Sequence, residues 1–321
     1  MTIVAATPTA IARAAQLLRD GDLVGIPTET VYGLGADATN PEAVTKIFAA
    51  KQRPRFNPLI VHVADLAAAR QIARFTDAAM RLAHAFWPGP LTLVLPRHTD
   101  DTIPDITVAG LRTIAVRVPS HAVAQELLRT FAHPVAAPSA NRSGHVSAST
   151  ADHVADDLGA HCALILEAGP SDIGLESTVI DATGAELAIL RNGAISRDRI
   201  EVVIGALISP AGTTGLRPKS PGQLLSHYAP NCRLRMNATT VGENEALLAF
   251  GPDAPRTQGP SINLSRSGDL GEAAAGLFAA LRELDQPQVA CIAVMPIPES
   301  GLGEAINDRL RRAAAAKDGG Q

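Results

Sequence analysis

Amphipathic stretches alternate with short apolar runs over the first two thirds of the chain. Residues 9–20 place apolar side chains at helical spacing and end before Gly21, which predicts a helix. Residues 40–51 predict another helix, because Asn40 can cap its start and Pro41 suits its first turn. Further helices are predicted near residues 66–86, 121–131 and 150–158.

The apolar runs between these helices predict buried strands. They occupy residues 23–27, 58–63, 91–95, 113–119, 135–139, 162–167, 177–181 and 187–191. Strands that alternate with helices and are mostly apolar are typical of a sheet covered by helices on its faces. The pattern therefore predicts an α/β fold.

The alternation stops near residue 206. Residues 209–231 are too rich in proline and glycine for a regular element, which predicts an extended linker. Beyond the linker, the sequence predicts strands within 246–250 and 289–297 and helices near 271–285 and 302–315. We therefore expect a first domain over residues 1–205, a linker over 206–231 and a smaller α/β domain over 232–321.

The composition argues against several classes of protein. A net charge of −4 and an aromatic content of 3% do not suit a chain that binds nucleic acid by bulk charge or base stacking. Cys162, Cys232 and Cys291 lie far apart, so neither a disulfide framework nor a zinc site is expected. The chain has no apolar run of about 18 residues and no secretory signal pattern, so we expect a cytoplasmic protein without membrane contact.

Polar residues follow two of the predicted strands. "PTETVYGLG" (27–35) brings hydroxyl groups beside two glycines, and by itself it fits an ordinary loop as well as a small-ligand pocket. "PSANRSG" (138–144) forms either a Ser/Asn turn or a set of hydrogen-bonding groups for ribose or phosphate. Neither a Walker loop nor a complete GxGxxG fingerprint occurs, so a nucleotide would be bound by other means.

Charged side chains also stand at unusual places. Lys51, Arg53 and Arg55 crowd a helix-to-strand junction, which fits a solvated turn, a nucleic-acid patch or a phosphate cradle. Arg117 lies in the middle of a predicted strand, so we expect it to meet a carboxylate from the protein or from a ligand. His62 shares a strand face with an isoleucine, and taken alone it is best interpreted as a hydrogen-bonded core histidine.

Taken together, "PTETVYGLG", "KQRP", "NPLIVHV", "PSANRSG", "ESTVID" and "LRNGAIS" resemble, in this order, the YrdC-like threonylcarbamoyl-AMP synthase family. "SPGQLLSHYAP" (220–230) is similar to the linker of the two-domain branch, although Gln223 and Leu224 replace an expected Met and basic residue. Asn192 also replaces a usual proline. The resemblance implies a YrdC-like catalytic domain, a twisted mixed sheet covered by helices, followed by the linker and a smaller Rossmann-like α/β domain.

The resemblance further implies a nucleotidyltransferase. It would convert L-threonine, bicarbonate or CO2, and ATP into threonylcarbamoyl-AMP and pyrophosphate, with Mg2+ accompanying the ATP. The product would serve a downstream tRNA threonylcarbamoyl-transferase complex, and a weak contact with tRNA is a further expectation. No metal ligand is assigned to the protein itself.

The family pattern also implies roles for individual residues. Lys51 and Arg53 would be catalytic, by cancelling phosphate charge. Nucleotide contacts are expected from Lys51, Arg53, Asn57, Thr113, Ser139, Asn141, Ser147, Arg191 and Tyr228. Threonine contacts are expected from Thr30, His62, Arg117 and Ser177. His227 and Tyr228 would form a lid, whereas Arg55 lies at a variable position and is expected to face water.

Two other functions compete with this interpretation. An RNA-binding module of the same fold is disfavoured by the net charge and the scarce aromatic residues. A carbamoyltransferase of hydrogenase maturation contains a related domain, but it carries zinc-finger cysteines, whereas the three cysteines here are isolated.

Overall fold

The structure is a computed structural model that describes residues 2–184, 186–210 and 228–318. Its strands are β1 Ile3–Ala5, β2 Val24–Ile26, β3 Gly33–Asp37, β4 Ile60–His62, β5 Leu91–Pro96, β6 Thr113–Arg117, β7 Val135–Ala136, β8 Leu164–Glu167, β9 Thr178–Asp181, β10 Ala188–Arg191, β11 Ser209–Pro210, β12 Arg233–Arg235, β13 Glu245–Ala249, β14 Ser261–Asn263 and β15 Cys291–Val294. Its α-helices are α1 Pro8–Arg19, α2 Pro41–Lys51, α3 Leu66–Ile72, α4 Asp77–Phe86, α5 Ala122–Phe131, α6 Ala151–Leu158, α7 Arg197–Ile204, α8 Leu270–Leu284 and α9 Leu302–Asp318.

The strands of the described residues form two sheets. The larger sheet has the order β1-β8-β2-β3-β7-β4-β6-β5-β9-β10-β11 and mixes parallel with antiparallel pairs. The smaller sheet has the order β12-β15-β13-β14, and its pairs are all parallel. The α/β architecture expected from the sequence, a large mixed sheet with helices followed by a smaller α/β unit, is confirmed.

Local sequence signals explain where the first helices begin. The Thr7 side chain accepts a hydrogen bond from the backbone N–H of Ala10 and so caps α1. Asn40 caps α2 as expected, because its side chain accepts from the N–H groups of Glu42 and Ala43. Helix α2 ends at Lys51, because the next residue, Gln52, takes a left-handed conformation with a φ of 52°.

The prediction of one helix over residues 66–86 is wrong. Helix α3 ends at Ile72, because the next residue, Ala73, is extended with a φ of −143°, and Thr76 caps the start of α4. Apolar residues fill both segments, so periodicity could not show the break. Strands β1, β3, β11, β12 and β14 and helix α7 were not predicted either, because most of these segments are short or carry few apolar residues. Strand β11 lies at the start of the segment expected to contain no regular element, and it pairs with β10.

Alternate side chains of the large sheet enter different cores. Val61, Leu93 and Val116 belong to the larger core, with α2, α4 and α6. On the opposite face, α1 and α5 pack against other strands of the sheet, and Ile60 and Ala115 belong to a small separate cluster. The helices therefore leave part of this second face, along β4, β6, β9 and β10, for the site described below.

The smaller sheet and its helices pack against loops of the large-sheet unit. Val31, Val146 and Leu175 lie in the same apolar core as Phe278 of α8 and Leu310 of α9. This shared core joins the two units directly. Among the described helices, none combines the length and the apolar character that a membrane crossing requires.

Candidate active site

An open cavity lies on the sheet face opposite the larger core. It is lined by Thr28, Thr30, Val31, Tyr32, Gly33, Arg53, Ile60, His62, Arg117, Ala137, Pro138, Ser139, Glu176, Ser177, Arg191 and Tyr228. Residues expected to bind threonine and residues expected to bind a nucleotide therefore share one cavity. Lys51, Asn57, Thr113, Asn141 and Ser147 do not line it.

Strand pairing brings the deepest polar residues together. Strands β4 and β6 run parallel, and their register places His62 beside Arg117. Ser177 immediately precedes β9, and Arg191 ends the neighbouring strand β10. Gly193 allows this approach, because a Cβ there would come within 2.4 Å of the Glu176 carbonyl oxygen.

Arg117 finds its carboxylate within the protein. Its Nη2 donates to Glu29 Oε1 at 2.7 Å, and its Nη1 donates to Thr30 Oγ1 at 2.8 Å. Burial raises the pKa of Glu29, but the charge and hydrogen bond of Arg117 outweigh burial and leave this pKa below 4.5. The guanidinium has five N–H donors, so it can still donate to a ligand although its charge is balanced.

His62 is buried as a neutral imidazole. Burial, reinforced by the nearby charge of Arg117, lowers the pKa of His62 to about 3. Its Nδ1 has no hydrogen-bond partner among the described residues, although the ring lines the cavity. The sequence-based interpretation of a hydrogen-bonded core histidine thus fails for this atom, which is available to a ligand.

Two cationic side chains of the cavity, Arg53 and Arg191, form no ion pair with a carboxylate among the described residues. Arg53 donates to the carbonyl oxygens of Asn57 and Pro58 at 3.2 and 3.0 Å. Arg191 donates to the carbonyl oxygen and the hydroxyl of Ser177 at 2.9 and 3.0 Å. Burial and the charge of Arg191 lower the pKa of Arg53 to about 10, and burial also lowers the pKa of Arg191. Guanidinium groups keep their charge in proteins, so these two buried side chains favour an anion.

Lys51 lies behind this cavity and supports the loop of residues 138–143, which carries Ser139 and Asn141. Its Nζ donates to the carbonyl oxygens of Ser139 and Asn141, at 2.7 Å for Ser139. Burial and the charge of Arg53 hold the pKa of Lys51 well below its ordinary value. Asn141 braces the same loop by donating to the carbonyl oxygens of Arg142 and His145. Within this loop, only Ser139 and its two preceding residues reach the cavity wall.

Hydroxyl groups complete the floor of the cavity. The Ser177 hydroxyl lies 2.7 Å from the hydroxyl of Thr92 and also accepts from Arg191. Ser147 does not reach the cavity but donates to Glu176 Oε1 at 2.6 Å. Thr28 donates to the Val31 carbonyl, so its oxygen accepts from Thr30.

The remaining expected residues occupy different places. Asn57 is buried beside Arg53, and its Oδ1 has no partner among the described residues. Thr113 is half-buried at the start of β6. Tyr228 lines the cavity, whereas His227 and the substituted linker positions Gln223 and Leu224 lie outside the described residues.

Sequence reasoning missed three residues of this region. Glu29 lies within the motif "PTETVYGLG", but the sequence indicated no role for it, because its pairing with Arg117 forms only in the folded chain. Glu176 precedes Ser177 and accepts from Arg309 Nε at 2.9 Å. Arg309 belongs to α9, a helix with several basic residues, yet its side chain is completely buried.

The carboxylates near the cavity offer little to a metal ion. Glu29 pairs with Arg117 and Glu176 pairs with Arg309. Among the described residues, no group of three His, Cys, Asp or Glu side chains could hold a metal.

Comparisons with known proteins agree along the whole chain. A family model described as "Telomere recombination" (Sua5, YciO and YrdC proteins) matches residues 16–193, and a model of the threonylcarbamoyl-AMP synthase C-terminal domain matches residues 195–315. Threonylcarbamoyl-AMP synthase of Bacillus subtilis is 40% identical over 324 residues, covering 96% of this chain and 93% of the relative. The corresponding protein of Pyrococcus abyssi is 41% identical over 322 residues, with coverages of 94% and 93%.

The fold has a matching solved structure. The crystal structure of Pyrococcus abyssi Sua5 complexed with L-threonine matches with a TM-score of 0.91 at 36% identity, covering 99% of this chain and 98% of the other. The similarity thus includes both α/β units and their relative placement.

Proposed function

Because the chain belongs to the Sua5/YciO/YrdC family, in its two-domain threonylcarbamoyl-AMP synthase branch, we propose that its cavity converts L-threonine, bicarbonate or CO2, and ATP into threonylcarbamoyl-AMP and pyrophosphate. The product supplies the threonylcarbamoyl group for tRNA modification. Residues 1–205 form the catalytic domain in this proposal, and residues 206–231 connect it to the C-terminal domain, residues 232–321.

One observation carries the nucleotide part of the proposal. Arg53 and Arg191 are buried guanidinium groups at one cavity, and the described residues bring them only neutral oxygen partners. Like charges confined in a poorly solvated site repel, so a polyanion relieves an existing cost when it binds. Guanidinium groups also match phosphate oxygens in geometry. We therefore assign Arg53 and Arg191 to the phosphates of ATP.

Lys51 acts indirectly in this proposal. Its ammonium group is committed to the loop that carries Ser139, so it positions that loop against the nucleotide. Ser139 and Tyr228 contact the nucleotide from the cavity wall. Asn57, Thr113, Asn141 and Ser147 support the nucleotide site from outside the cavity lining.

Threonine occupies the neighbouring end of the cavity. Neutral His62 offers its unpartnered Nδ1 to a polar group of threonine, and Arg117 offers its remaining N–H donors to the carboxylate. Thr30 and Ser177 supply hydroxyl groups on either side. This end of the cavity is nearly neutral, which distinguishes it from the cationic phosphate end.

The chemistry needs positioning and charge cancellation. The amine of threonine adds to CO2 and loses a proton, which gives a carbamate. A carbamate oxygen then bonds to the α-phosphorus of ATP while the bond from that phosphorus to the pyrophosphate oxygen breaks. Arg53 and Arg191 offset the charge that grows on the leaving pyrophosphate. Mg2+ enters as part of the nucleotide substrate.

The reaction fits a cytoplasmic enzyme that hands its product to a tRNA threonylcarbamoyl-transferase complex, with at most a weak tRNA contact of its own. The test incubates the purified protein with threonine, bicarbonate, ATP and Mg2+ and then omits one component at a time. We expect pyrophosphate release only when threonine, bicarbonate and ATP are all present. Release that continues without threonine or bicarbonate would refute the proposal.

A further inference from the structure

The C-terminal domain contributes a charge to the floor of the catalytic cavity. Arg309 of α9 is completely buried, and its Nε donates to Glu176 Oε2 at 2.9 Å. Glu176 lines the cavity, and Ser147 donates to its other oxygen at 2.6 Å. Both oxygens of this buried carboxylate are therefore held, one of them by the second domain.

Arg309 is fixed in this place by further contacts. Its Nη2 donates to the Asn192 carbonyl oxygen at 2.8 Å, and its Nη1 pairs with Asp308 at 2.8 Å. The guanidinium carbon lies 5.1 Å from the centre of the Tyr228 ring, which stacks on Phe278 at 5.7 Å. The Arg309 side chain thus reaches both a cavity-lining carboxylate and a cavity-lining ring.

Glu176 also lies within the electrostatic reach of Arg191. Burial raises the pKa of Glu176, but the charges of Arg309 and Arg191 and the hydrogen bond from Ser147 together lower it below 4.5. Arg191 itself bonds only to oxygens of Ser177 among the described residues. The carboxylate therefore has two cations nearby but forms its ion pair with the one from the C-terminal domain.

We propose that Arg309 is a positioning residue for the phosphate site, because its pairing with Glu176 keeps that carboxylate from neutralising Arg191. Without Arg309, a buried and uncompensated Glu176 would turn to the remaining cation, and Arg191 would lose its attraction for phosphate. The choice of ATP as ligand rests on the proposed function, whereas the charge argument applies to any phosphate anion at Arg191.

The experiment measures binding of ATP and, separately, of inorganic pyrophosphate to the full-length protein by calorimetry. Arg309→Met is expected to weaken both ligands by roughly 10- to 100-fold, because it leaves Glu176 unpaired beside Arg191. The double variant Glu176→Gln/Arg309→Met is expected to regain most of this loss, to within about threefold of the original protein. Arg311→Met is the matched control, since Arg311 lies on the same helix and pairs with Glu299 at the surface.

Two results would overturn the proposal. Unchanged binding in Arg309→Met would show that Glu176 does not compete for Arg191. A folded double variant that binds as weakly as the single variant would show that Arg309 acts through packing. If the single variant does not fold, the double variant still tests the proposal, because weak binding by that folded protein, which lacks both buried charges, would overturn it.

The readouts also separate this inference from the proposed function. The original protein could bind pyrophosphate but release none in the presence of threonine, bicarbonate and ATP. That result would refute the proposed reaction, and the binding measurements on the variants would still test the charge argument. An original protein that binds neither ATP nor pyrophosphate would refute both.

Discussion

Arg117 Nη2 and Glu29 Oε1 lie 2.7 Å apart, although 88 positions separate the two residues. Both side chains are buried, with 5% and 6% of their surface exposed. The pair supplies the carboxylate that a mid-strand arginine requires, and it leaves the threonine end of the cavity without net charge. The two ends of one cavity therefore suit different ligands, one zwitterionic and one strongly anionic.

Glu29→Gln should lower the free energy of unfolding by about 3 kcal/mol, because it leaves the Arg117 charge buried without a counterion. Urea unfolding at neutral pH measures this loss. Glu299→Gln is the matched control, since Glu299 pairs with Arg311 at the surface and should change stability by less than about 1 kcal/mol. Equal effects in the two variants would contradict the importance of burial for the Glu29 pair.

Arg53→Ala should reduce kcat/KM for ATP by about 100-fold or more, because it removes one of two cations expected at the phosphates. Arg55→Ala is the control within the same turn, since Arg55 is exposed and should change the rate by less than about twofold. Steady-state pyrophosphate release at varied ATP concentration measures both variants. Comparable losses would instead indicate that the turn attracts ATP by its summed charge.

The sequence predicted well which face of the sheet carries the side chains of the site. Alternation along "NPLIVHV" and "TIAVRVP" correctly placed His62 and Arg117 on the face opposite Val61 and Val116, as the core membership of these valines confirms. Such patterns succeed because the side-chain period of a strand is set by the backbone alone.

Partners across the fold could not be predicted in the same way. Arg309 and Glu176 are 133 positions apart in the sequence. Nothing in the sequence around Arg309 indicates that α9 packs beside the cavity that Glu176 lines. Similarly, the sequence grouped Lys51 with Arg53 as a charge pair, whereas the turn at Gln52 directs Lys51 towards a loop and Arg53 towards the cavity. Side-chain direction at a helix end depends on the local backbone, which a single sequence does not fix.

Lys51→Met should weaken ATP binding and also loosen the loop that carries Ser139, because the ammonium group holds two of its carbonyl oxygens. Hydrogen exchange should increase within residues 138–143, and KM for ATP should rise by roughly tenfold. Lys46→Met is the control on the same helix, since Lys46 bonds Gly21 and Asp22 at a half-exposed site. Weaker ATP binding with unchanged exchange would show that Lys51 contacts phosphate directly.

His62 should make the folded protein sensitive to mild acid. Its pKa falls from 6.5 in the unfolded chain to about 3 in the folded protein, so the folded state binds fewer protons between these values. Stability should therefore be constant with respect to His62 above pH 6.5 and should decrease as the pH falls towards 3. The expected slope is at most about 1.4 kcal/mol per pH unit.

His62→Asn should remove this contribution and reduce the slope of stability against pH between 7 and 5, a range above the ordinary titration of the carboxylates. Some slope should remain, because burial also lowers the pKa values of His121, His145 and His153. Urea unfolding at several pH values measures the slope for both proteins. His84→Asn is the control, since His84 lies exposed on α4 and its replacement removes no buried imidazole. Because neutral His62 also faces threonine, KM for threonine should rise by roughly tenfold in His62→Asn while KM for ATP changes little. An unaltered slope in this variant would mean that His62 binds protons equally in the folded and unfolded chains, and its burial as a neutral imidazole between pH 7 and 5 would then be refuted.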